Sequence, residues 1–356
     1  MIKIIHTADI HLGSKLDANL SRNKIQERRL EVRETFMRLT NFAKNNGVKV
    51  IMLCGDVFDE DRPFKKDKDF FYSVIKNHPD IDFLYLRGNH DGNSENSYVE
   101  ELKNLKTFTD EWTYFEYDNV VIGGIELKEV NKKSLYTTLN FDENKVNIAM
   151  LHGQVASSEG KDNILISKLK DKNINYLALG HVHEYGEFKL DDKGVYAYSG
   201  CLEGRGFDET GEKGFVMLTV TDKIERQFIP FSKRKIVKIE ADVSNITNSY
   251  DAYLLVKKIA GNDAENLLRV ILKGEITIDN YSLESDVEKM LEREYYCVSV
   301  KDKTTSKINI EKYQKDLSLK GEFVRVVYGD DTLTDEEKSK IIRVGLKALM
   351  GEKPND

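Results

Sequence analysis

The sequence predicts an α/β protein with a large N-terminal domain and a smaller α/β domain at its C-terminus. Strands and amphipathic helices alternate from Ile2 to Arg87, short strands dominate from Thr113 to Pro230, and an α/β pattern returns after Lys235. A chain of 356 residues is long for one hydrophobic core, so about two domains are expected. Charge clusters in "PFSKRK", and we therefore place the domain boundary between residues 232 and 233, giving domains 1–232 and 233–356.

The N-terminal region begins as a strand, helix, strand unit. The strand "IKIIHTAD" precedes a segment from Ser21 in which Val32, Phe36 and Leu39 recur three or four residues apart, with Gly47 at the helix stop. The strand "VKVIMLC" follows, and a second unit has a helix over 67–77 and the strand "DFLYLR". This alternation predicts a layered sheet with right-handed crossovers.

The middle region predicts a second sheet within the same domain. Its short strands include "NVVIGGI", "VNIAML", "NYLALG" and "GFVMLTV", with one helix expected over 163–172. The C-terminal region predicts helices near 249–259, 283–292 and 335–350.

Composition and charge exclude several classes of protein. The net charge of −7 argues against a protein that coats nucleic acid through a general basic field, although a local basic path could still hold DNA. The three cysteines form no Cys-x-x-Cys pair, so no thiolate zinc site is expected. No segment predicts a membrane span, and the N-terminus does not resemble a signal peptide, so we expect a cytoplasmic protein. We expect His6 in the core and His78 at the surface.

Polar side chains follow five predicted strands at the points where those strands end. The carboxyl ends of strands in open α/β sheets are where sites form, and residues two apart in extended backbone leave on one face. The side chains in these positions are Asp9 and His11, Asp56, the Gly88-Asn89-His90-Asp91 turn, His152, and His181 with His183.

Each of these motifs alone is more typical of a turn with a satisfied histidine. Together they offer carboxylates, imidazoles and one carboxamide without thiolate, which suits a hard or borderline divalent ion such as manganese. Seven ligands exceed the need of one ion. With one carboxylate shared, they can build two sites roughly 3.5 to 4 Å apart, the spacing of two-metal phosphoryl chemistry.

The series Asp-x-His, Gly-Asp, Gly-Asn-His-Asp, His and Gly-His-x-His resembles the calcineurin-like metallophosphoesterases. "HTADIHLGS", "GDVFDEDRP", "LRGNHD", "ALGHVH" and "YSGCLEGRGFDETGEKGF" resemble the DNA-repair exonuclease branch, the SbcD-like nuclease subunits of bacteria. The resemblance covers Met1 to about Pro230. It implies two β-sheets packed as a sandwich and flanked by helices, with the C-terminal α/β domain as an accessory capping domain.

The resemblance also implies residue roles. One divalent ion, most typically Mn²⁺, would be held by Asp9, His11, Asp56 and His183. A second ion would be bridged by Asp56 and completed by Asn89, His152 and His181. His90 would face the scissile phosphate and assist the leaving oxygen, and Asp91 could orient it.

Two arginines are candidates for contact with substrate phosphate. Arg62 lies in "RPFKKDKD", which could equally be a solvated helix start, and Arg205 lies in a glycine-rich segment that could equally be a hairpin loop. Archaeal and eukaryotic relatives carry a histidine soon after the Gly-Asp motif, where this chain has Asp59.

The implied activity is a DNA exonuclease in DNA repair, with endonuclease activity left open, that hydrolyses phosphodiesters by in-line attack of hydroxide. The implied partners are DNA and an SMC-like coiled-coil ATPase subunit (SbcC-like), and a homodimer is also left open. One alternative is a phosphodiesterase or phosphatase for small esters, because a fold does not determine its substrate. Another is a scaffold that only binds, against which the intact ligand set argues.

Overall fold

The computed structural model describes residues 1–16, 20–59, 63–91, 102–276, 282–306, 313 and 315–349. The chain divides into two compact units, Met1–Lys235 and Ile236–Asp356. In the described part of the chain, no helix is both long and apolar enough to cross a membrane.

The first unit alternates strands and helices before it continues as a series of strands. Its elements are, in chain order, β1 (Ile2–Thr7), α1 (Arg22–Asn45), β2 (Val50–Cys54), α2 (Lys65–Lys76), β3 (Asp82–Leu86), β4 (Leu105–Thr107), β5 (Thr113–Tyr117), β6 (Val120–Gly124), α3 (Leu135–Thr138), β7 (Val146–His152), β8 (Gln154–Ala156), β9 (Asn163–Leu165), β10 (Tyr176–Gly180), β11 (Gly186–Lys189), β12 (Val195–Tyr198), β13 (Gly214–Val220) and β14 (Ile224–Pro230).

The long strands of the first unit form two six-stranded sheets. The first sheet has the order β14-β13-β1-β2-β3-β4, and the second sheet has the order β11-β12-β10-β7-β6-β5. Strands β1 to β4 are parallel to one another, as are β6, β7, β10 and β12. The prediction of an α/β fold with a second sheet in the same domain is confirmed.

The two sheets pack face to face because successive strand residues point to opposite faces. In β2, Val50, Met52 and Cys54 join the apolar layer between the sheets, whereas Ile51 and Leu53 face the layer beneath α1 and α2. In β10, Tyr176 and Ala178 join the same inner layer, and Leu177 and Leu179 face the outer side of the second sheet. The inner strands therefore read as continuous apolar runs.

Helix α1 begins and ends where the sequence indicates. The Ser21 hydroxyl accepts a hydrogen bond from the Lys24 amide, which caps the first turn. The helix ends at Asn45, and Gly47 has a φ of 68°, a left-handed conformation that suits glycine.

The prediction of a helix over 163–172 is wrong. Residues Asn163–Leu165 form β9, which pairs with β8, and only Ile166–Lys168 form a short 3₁₀ turn. Ile164 and Leu169 are nonetheless fully buried, so the apolar spacing reflects burial of an irregular segment. The expectation of a surface position for His78 is also wrong, because it is 8% exposed and its Nδ1 lies 2.8 Å from the Val74 carbonyl.

The second unit contains a parallel three-stranded sheet with helices. Its elements are β15 (Ile236–Asp242), α4 (Ser249–Ala260), β16 (Leu267–Lys273), β17 (Glu275–Ile276), α5 (Leu283–Leu291), β18 (Cys297–Asp302), β19 (Thr305–Ser306), α6 (Leu319–Tyr328) and α7 (Asp335–Leu349). The sheet order is β15-β16-β18, and its core draws on both the sheet and helices α4 and α5. Helix α6 is not anticipated from the sequence, whereas α4, α5 and α7 are.

His6 lies in the core, as expected, and it supports a prediction about pH. It is fully buried in β1, with Nδ1 2.8 Å from the Tyr176 hydroxyl, and burial lowers its pKa from 6.5 to about 3. The unfolded chain therefore binds a proton below pH 6.5 that the folded protein does not, and stability is lost as the pH falls below this value. Between pH 7.5 and 5.5 we expect the free energy of unfolding to fall by about 1.4 kcal/mol more in the wild type than in His6→Gln.

Urea unfolding of both proteins at the two pH values measures this difference. Equal pH dependence in the wild type and in His6→Gln would show that His6 is not held neutral in the folded protein.

Candidate metal centre

The polar turns that follow β1, β2 and β10 share an unusual backbone conformation. Asp9, His11, Asp56 and His181 have φ values of 51°, 51°, 52° and 96°, in the left-handed region that L side chains rarely adopt. Such conformations cost of the order of 1 to 3 kcal/mol each and persist only where the surroundings hold them. Here the Asp9 amide donates to the Gly55 carbonyl and the His11 amide to the Asp56 carbonyl, both at 3.0 Å. The two turns therefore support each other.

A first group of donor atoms comes from Asp9, His11 and His183, whose ligand atoms lie within 4.8 Å of one another. The Nε2 atoms of His11 and His183 face each other at 3.2 Å, and His183 Nε2 lies 3.9 Å from Asp9 Oδ1. Two nitrogen ligands that each lie about 2.1 Å from one ion are about 3 Å apart, so this spacing fits a shared cation.

A second group comes from Asp56, His152 and His181, with Asn89 between them. Asn89 Oδ1 lies 3.0 Å from His152 Nε2 and 3.2 Å from His181 Nδ1, and His152 Nε2 lies 3.3 Å from Asp56 Oδ2. The Cys54 carbonyl accepts a hydrogen bond from His152 Nδ1 at 2.9 Å. In the neutral ring this leaves the Nε2 lone pair available to bind an ion.

The two groups lie side by side because their strand ends meet. The His181 amide donates to both carboxylate oxygens of Asp9, at 3.0 Å each, although the two residues follow strands of different sheets. The structure thus brings together all seven residues that the sequence indicates as metal ligands.

The electrostatics of these side chains also fit a cation. Asp9 is 1% exposed, and burial raises its pKa to about 7, more than the neighbouring histidines and the His181 amide lower it. Burial opposes the charged form of His152 as well, but the hydrogen bond and charge of Asp56 outweigh it and raise the pKa of His152 to about 9. A proton on His152 therefore offsets the buried carboxylates. A divalent ion bound to carboxylate, imidazole and carboxamide atoms would offset them more completely.

His90 lies at the open side of the first group. Its amide donates to Asp56 Oδ1 at 2.9 Å, and its exposed ring lies with its centroid 5.5 Å from that of His11, edge to face. The backbone of His90 is thus bound to one candidate ligand, while its imidazole is accessible from solvent.

Asp91 was expected to orient His90, but its carboxylate binds backbone amides of two loops. Its Oδ1 accepts from the Phe58 amide at 2.8 Å and its Oδ2 from the Gly88 amide at 2.9 Å. The carboxyl is buried, and burial together with the charge of Asp56 raises its pKa to about 6. Asp91 therefore joins the loops that follow β2 and β3.

The sequence suggests two arginines, Arg62 and Arg205, as contacts for substrate phosphate. Arg62 lies outside the described residues. The guanidinium of Arg205 is engaged within the protein, with Nη1 2.8 Å from Asp59 Oδ1 and Nη2 2.8 Å from Glu209 Oε1. The guanidinium is thus paired with two carboxylates of the protein, and its contact with substrate phosphate stays a prediction.

Asp59 and Glu209 are neighbours of the site that the sequence does not identify as such. Asp59 Oδ1 lies 2.9 Å from His11 Nδ1, and Glu209 Oε1 lies 2.7 Å from His183 Nδ1. Asp59 lies in the loop after β2, where the sequence comparison with relatives points to a departure but not to a contact with His11. Glu209 lies 26 residues from His183 along the chain, and no local spacing indicates their contact.

The close approach of Gly88 to Asp56 supports a prediction. A Cβ atom at Gly88 would lie 2.2 Å from Asp56 Oδ1 and 2.8 Å from His152 Cε1, so Gly88→Ala must displace a candidate ligand. A displacement of about 1 Å at such a site can lower turnover about 10²-fold, and we expect this loss together with weaker metal binding. Metal titration and the hydrolysis of a small phosphodiester measure the two effects.

The matched control is Gly329→Ala, where the nearest atom, the Arg325 carbonyl oxygen, would lie 3.3 Å from the new Cβ. If Gly88→Ala behaved like this control, the tight packing around Asp56 would have no functional role.

Comparisons with known proteins agree with this geometry. The family model described as "Calcineurin-like phosphoesterase" matches residues 2–185, which is more than half of the chain. The DNA double-strand break repair protein Mre11 of Sulfolobus acidocaldarius is 24% identical over 378 aligned residues, covering 96% of this chain and 97% of the relative. Mre11 of Sulfurisphaera tokodaii is 26% identical, covering 89% of this chain and 84% of the relative. The Bacillus subtilis protein YhaO, described as an uncharacterised metallophosphoesterase, is 23% identical, with 77% of this chain and 72% of the relative covered.

The matched segment 2–185 contains β1, β2, β3, β7 and β10 and all seven candidate metal ligands at their carboxyl ends. The chain belongs to the calcineurin-like phosphoesterase family.

Proposed function

We propose that this protein is a two-metal phosphodiesterase that cleaves DNA, mainly as an exonuclease, in DNA repair. The observation that carries the proposal is the convergence of two donor groups beside an exposed histidine that neither group uses. Two such groups side by side are the arrangement of two-metal phosphoryl chemistry, in which bound ions polarise a phosphodiester and lower the pKa of a water molecule.

The proposed ligand roles divide along the two groups. One ion is held by Asp9, His11, Asp56 and His183, and the other by Asp56, Asn89, His152 and His181. Asp56 suits a shared position because its Oδ2 faces His152 and its main chain pairs with that of His11. Manganese is the proposed ion, since oxygen and nitrogen donors without thiolate suit it.

His90 is the proposed proton donor to the leaving oxygen. Its ring lies next to that of His11 and is open to solvent, so it can meet a substrate phosphate that spans the two groups. Asp56 acts on His90 through the backbone, because its Oδ1 accepts from the His90 amide. Asp91 acts on the same turn by accepting from the Gly88 amide. The turn is thus held from both sides.

DNA is the proposed substrate because relatives described as DNA double-strand break repair proteins align with almost the whole chain, including the second unit. We propose that the C-terminal domain, residues 233–356, is an accessory (capping) domain that takes part in binding DNA. The resemblance to SbcD-like subunits further implies an SMC-like coiled-coil ATPase partner and leaves a homodimer open. We also propose a cytoplasmic location.

Incubation of the purified protein with end-labelled linear duplex DNA tests the proposal. We expect the duplex to shorten from its ends in the presence of Mn²⁺ and to stay intact with a chelator, while His90→Asn leaves it intact in both cases. A covalently closed circular DNA in the same series separates endonuclease from exonuclease action. Bis(4-nitrophenyl) phosphate serves as the small-ester control.

Hydrolysis of the small ester with both DNA substrates intact would instead favour a phosphodiesterase for small substrates. Failure to cleave any of the three substrates with Mn²⁺ would favour a protein that only binds.

A further inference from the structure

Arg205 lies between two carboxylates, each of which contacts an imidazole of the first donor group. Its Nη1 lies 2.8 Å from Asp59 Oδ1, and its Nη2 and Nε lie 2.8 and 3.1 Å from Glu209 Oε1. The Arg205 amide also donates to Glu209 Oε2 at 2.7 Å. One guanidinium thus crosslinks two loops that are 146 residues apart in the chain.

Each of these carboxylates lies against the Nδ1 atom of a candidate metal ligand. Asp59 is 2.9 Å from His11 Nδ1, and Glu209 is 2.7 Å from His183 Nδ1. A neutral imidazole carries one N–H. The Glu209 carboxylate is hydrogen-bonded to His183 Nδ1, so it keeps the proton there and leaves the Nε2 lone pair for an ion. Asp59 contacts His11 Nδ1 at ion-pair distance, and its charge favours a proton on the same nitrogen. The two Nε2 atoms are those that face each other at 3.2 Å.

A second contact of Arg205 favours the opposite proton position. Its Nη2 lies 3.1 Å from His183 Nδ1, and a guanidinium donates but does not accept, so this contact alone would move the ring proton to Nε2. The Glu209 oxygen is closer, at 2.7 Å, and it carries the charge that attracts the proton. Glu209 therefore sets the tautomer, and Arg205 holds Glu209 in place.

The second donor group is supported differently. His152 Nδ1 faces the neutral Cys54 carbonyl at 2.9 Å. A carboxylate raises the basicity of an imidazole ligand more than a neutral carbonyl does. The loss of Arg205 should therefore affect the two groups unequally.

We infer that Arg205 is a positioning residue, which acts through Asp59 and Glu209 to hold His11 and His183 in the orientation and tautomer that bind one of the two ions. The inference rests on the metal centre of the proposed function, and it places Arg205 behind the ligands instead of at the substrate phosphate. Without the guanidinium, the side chains of Asp59 and Glu209, 15% and 8% exposed, would be left as carboxylates without their shared cation.

Titration of metal-free protein with Mn²⁺, followed by calorimetry, tests the inference. We expect two ions in the wild type. In Arg205→Met we expect one ion to bind about 10- to 100-fold more weakly, the usual effect of losing a partner of a ligating histidine, and the other to bind unchanged. Arg205→Lys should fall in between, because an ammonium cannot contact both carboxylates in the same forked manner. Glu209→Gln, which retains the side-chain shape, should reproduce the loss at the same ion.

The matched control is Arg226→Met, since Arg226 pairs with Glu187 at 3.0 Å in a more exposed position on the strands β14 and β11. It should bind both ions like the wild type. A second readout is the ¹⁵N NMR signal of the His183 ring in metal-free protein, which we expect to change from the Nδ1–H tautomer in the wild type to a mixture of tautomers in Arg205→Met.

Four results would overturn the inference. If Arg205→Met and Glu209→Gln bound both ions with wild-type affinity, the metal site would not depend on the contacts of Arg205 with Asp59 and Glu209. Equal weakening of both ions with a lower melting temperature would indicate a general structural role. Unchanged metal binding with weaker binding of DNA would make Arg205 a substrate contact. Failure of the wild type itself to bind divalent ions would refute the metal centre of the proposed function, and the inference with it.

Discussion

Asp56→Asn should bind neither ion at concentrations that saturate the wild type, and its turnover of any phosphodiester should fall about 10³-fold or more. One carboxylate oxygen, Oδ1, accepts a hydrogen bond from the His90 amide, and the other, Oδ2, lies 3.3 Å from His152 Nε2. Asp56 therefore supports both donor groups. An amide of the same shape retains the acceptor but removes the charge. The loss of several kcal/mol of charge stabilisation corresponds to a rate loss of this size.

Asp69→Asn is the matched control for this variant, because Asp69 forms an exposed ion pair with Lys65 on the surface of α2. Exposed pairs of this kind contribute little, so this variant should retain both ions and full turnover. Retention of two tightly bound ions by Asp56→Asn would contradict the shared position assigned to Asp56.

His90→Asn should lose about 10²- to 10⁴-fold in turnover while it binds both ions like the wild type. The backbone amide of residue 90 still reaches Asp56 Oδ1, and the ring itself is not part of either donor group. The change therefore removes a proton donor without removing a ligand. Single-turnover rates and Mn²⁺ titration measure the two quantities on the same preparation.

A substrate with a better leaving group sharpens this test. A 4-nitrophenolate ester needs less help from an acid than an alkoxide does, so the loss in His90→Asn should be smaller for this ester than for DNA. If His90→Asn no longer bound two ions, His90 would be a ligand and not the donor of a proton.

The candidate ligands could be found from the sequence because their positions follow from sheet geometry. Parallel strands place their carboxyl ends at one edge, and the polar residues after β1, β2, β3, β7 and β10 were therefore expected to converge. The long amphipathic helix α1 and the strand pattern of both sheets were predictable for a similar reason. The apolar spacing of α1 extends over 24 residues, which is enough to identify a helix, and the strands are short apolar runs bounded by turn residues.

Short segments could not be predicted with the same success. Residues 163–172 carry helical spacing, yet Asn163–Leu165 pair with β8 because the neighbouring strand supplies hydrogen bonds that a ten-residue helix would have to provide alone. His78 follows α2 among polar residues, but its ring is buried against the Val74 carbonyl and Asn41. Tertiary contacts decided both cases.

The partners of the ligands were also out of reach of sequence reasoning. Asp91 follows His90 directly and was expected to orient it, yet its carboxylate oxygens accept from the Phe58 and Gly88 amides. Arg205 stands in a glycine-rich segment that could suit a phosphate, but its side chain turns inward to Asp59 and Glu209. Side-chain direction in irregular loops depends on distant residues and leaves no periodic signal.

The measurement that tests the central claim most directly is anomalous diffraction from crystals grown with Mn²⁺. The account predicts two peaks of anomalous density. One should lie among Asp9, His11 and His183, and the other among Asp56, Asn89, His152 and His181, with the carboxylate of Asp56 between them. A single peak, or two peaks that leave either group without an ion, would contradict a dinuclear centre.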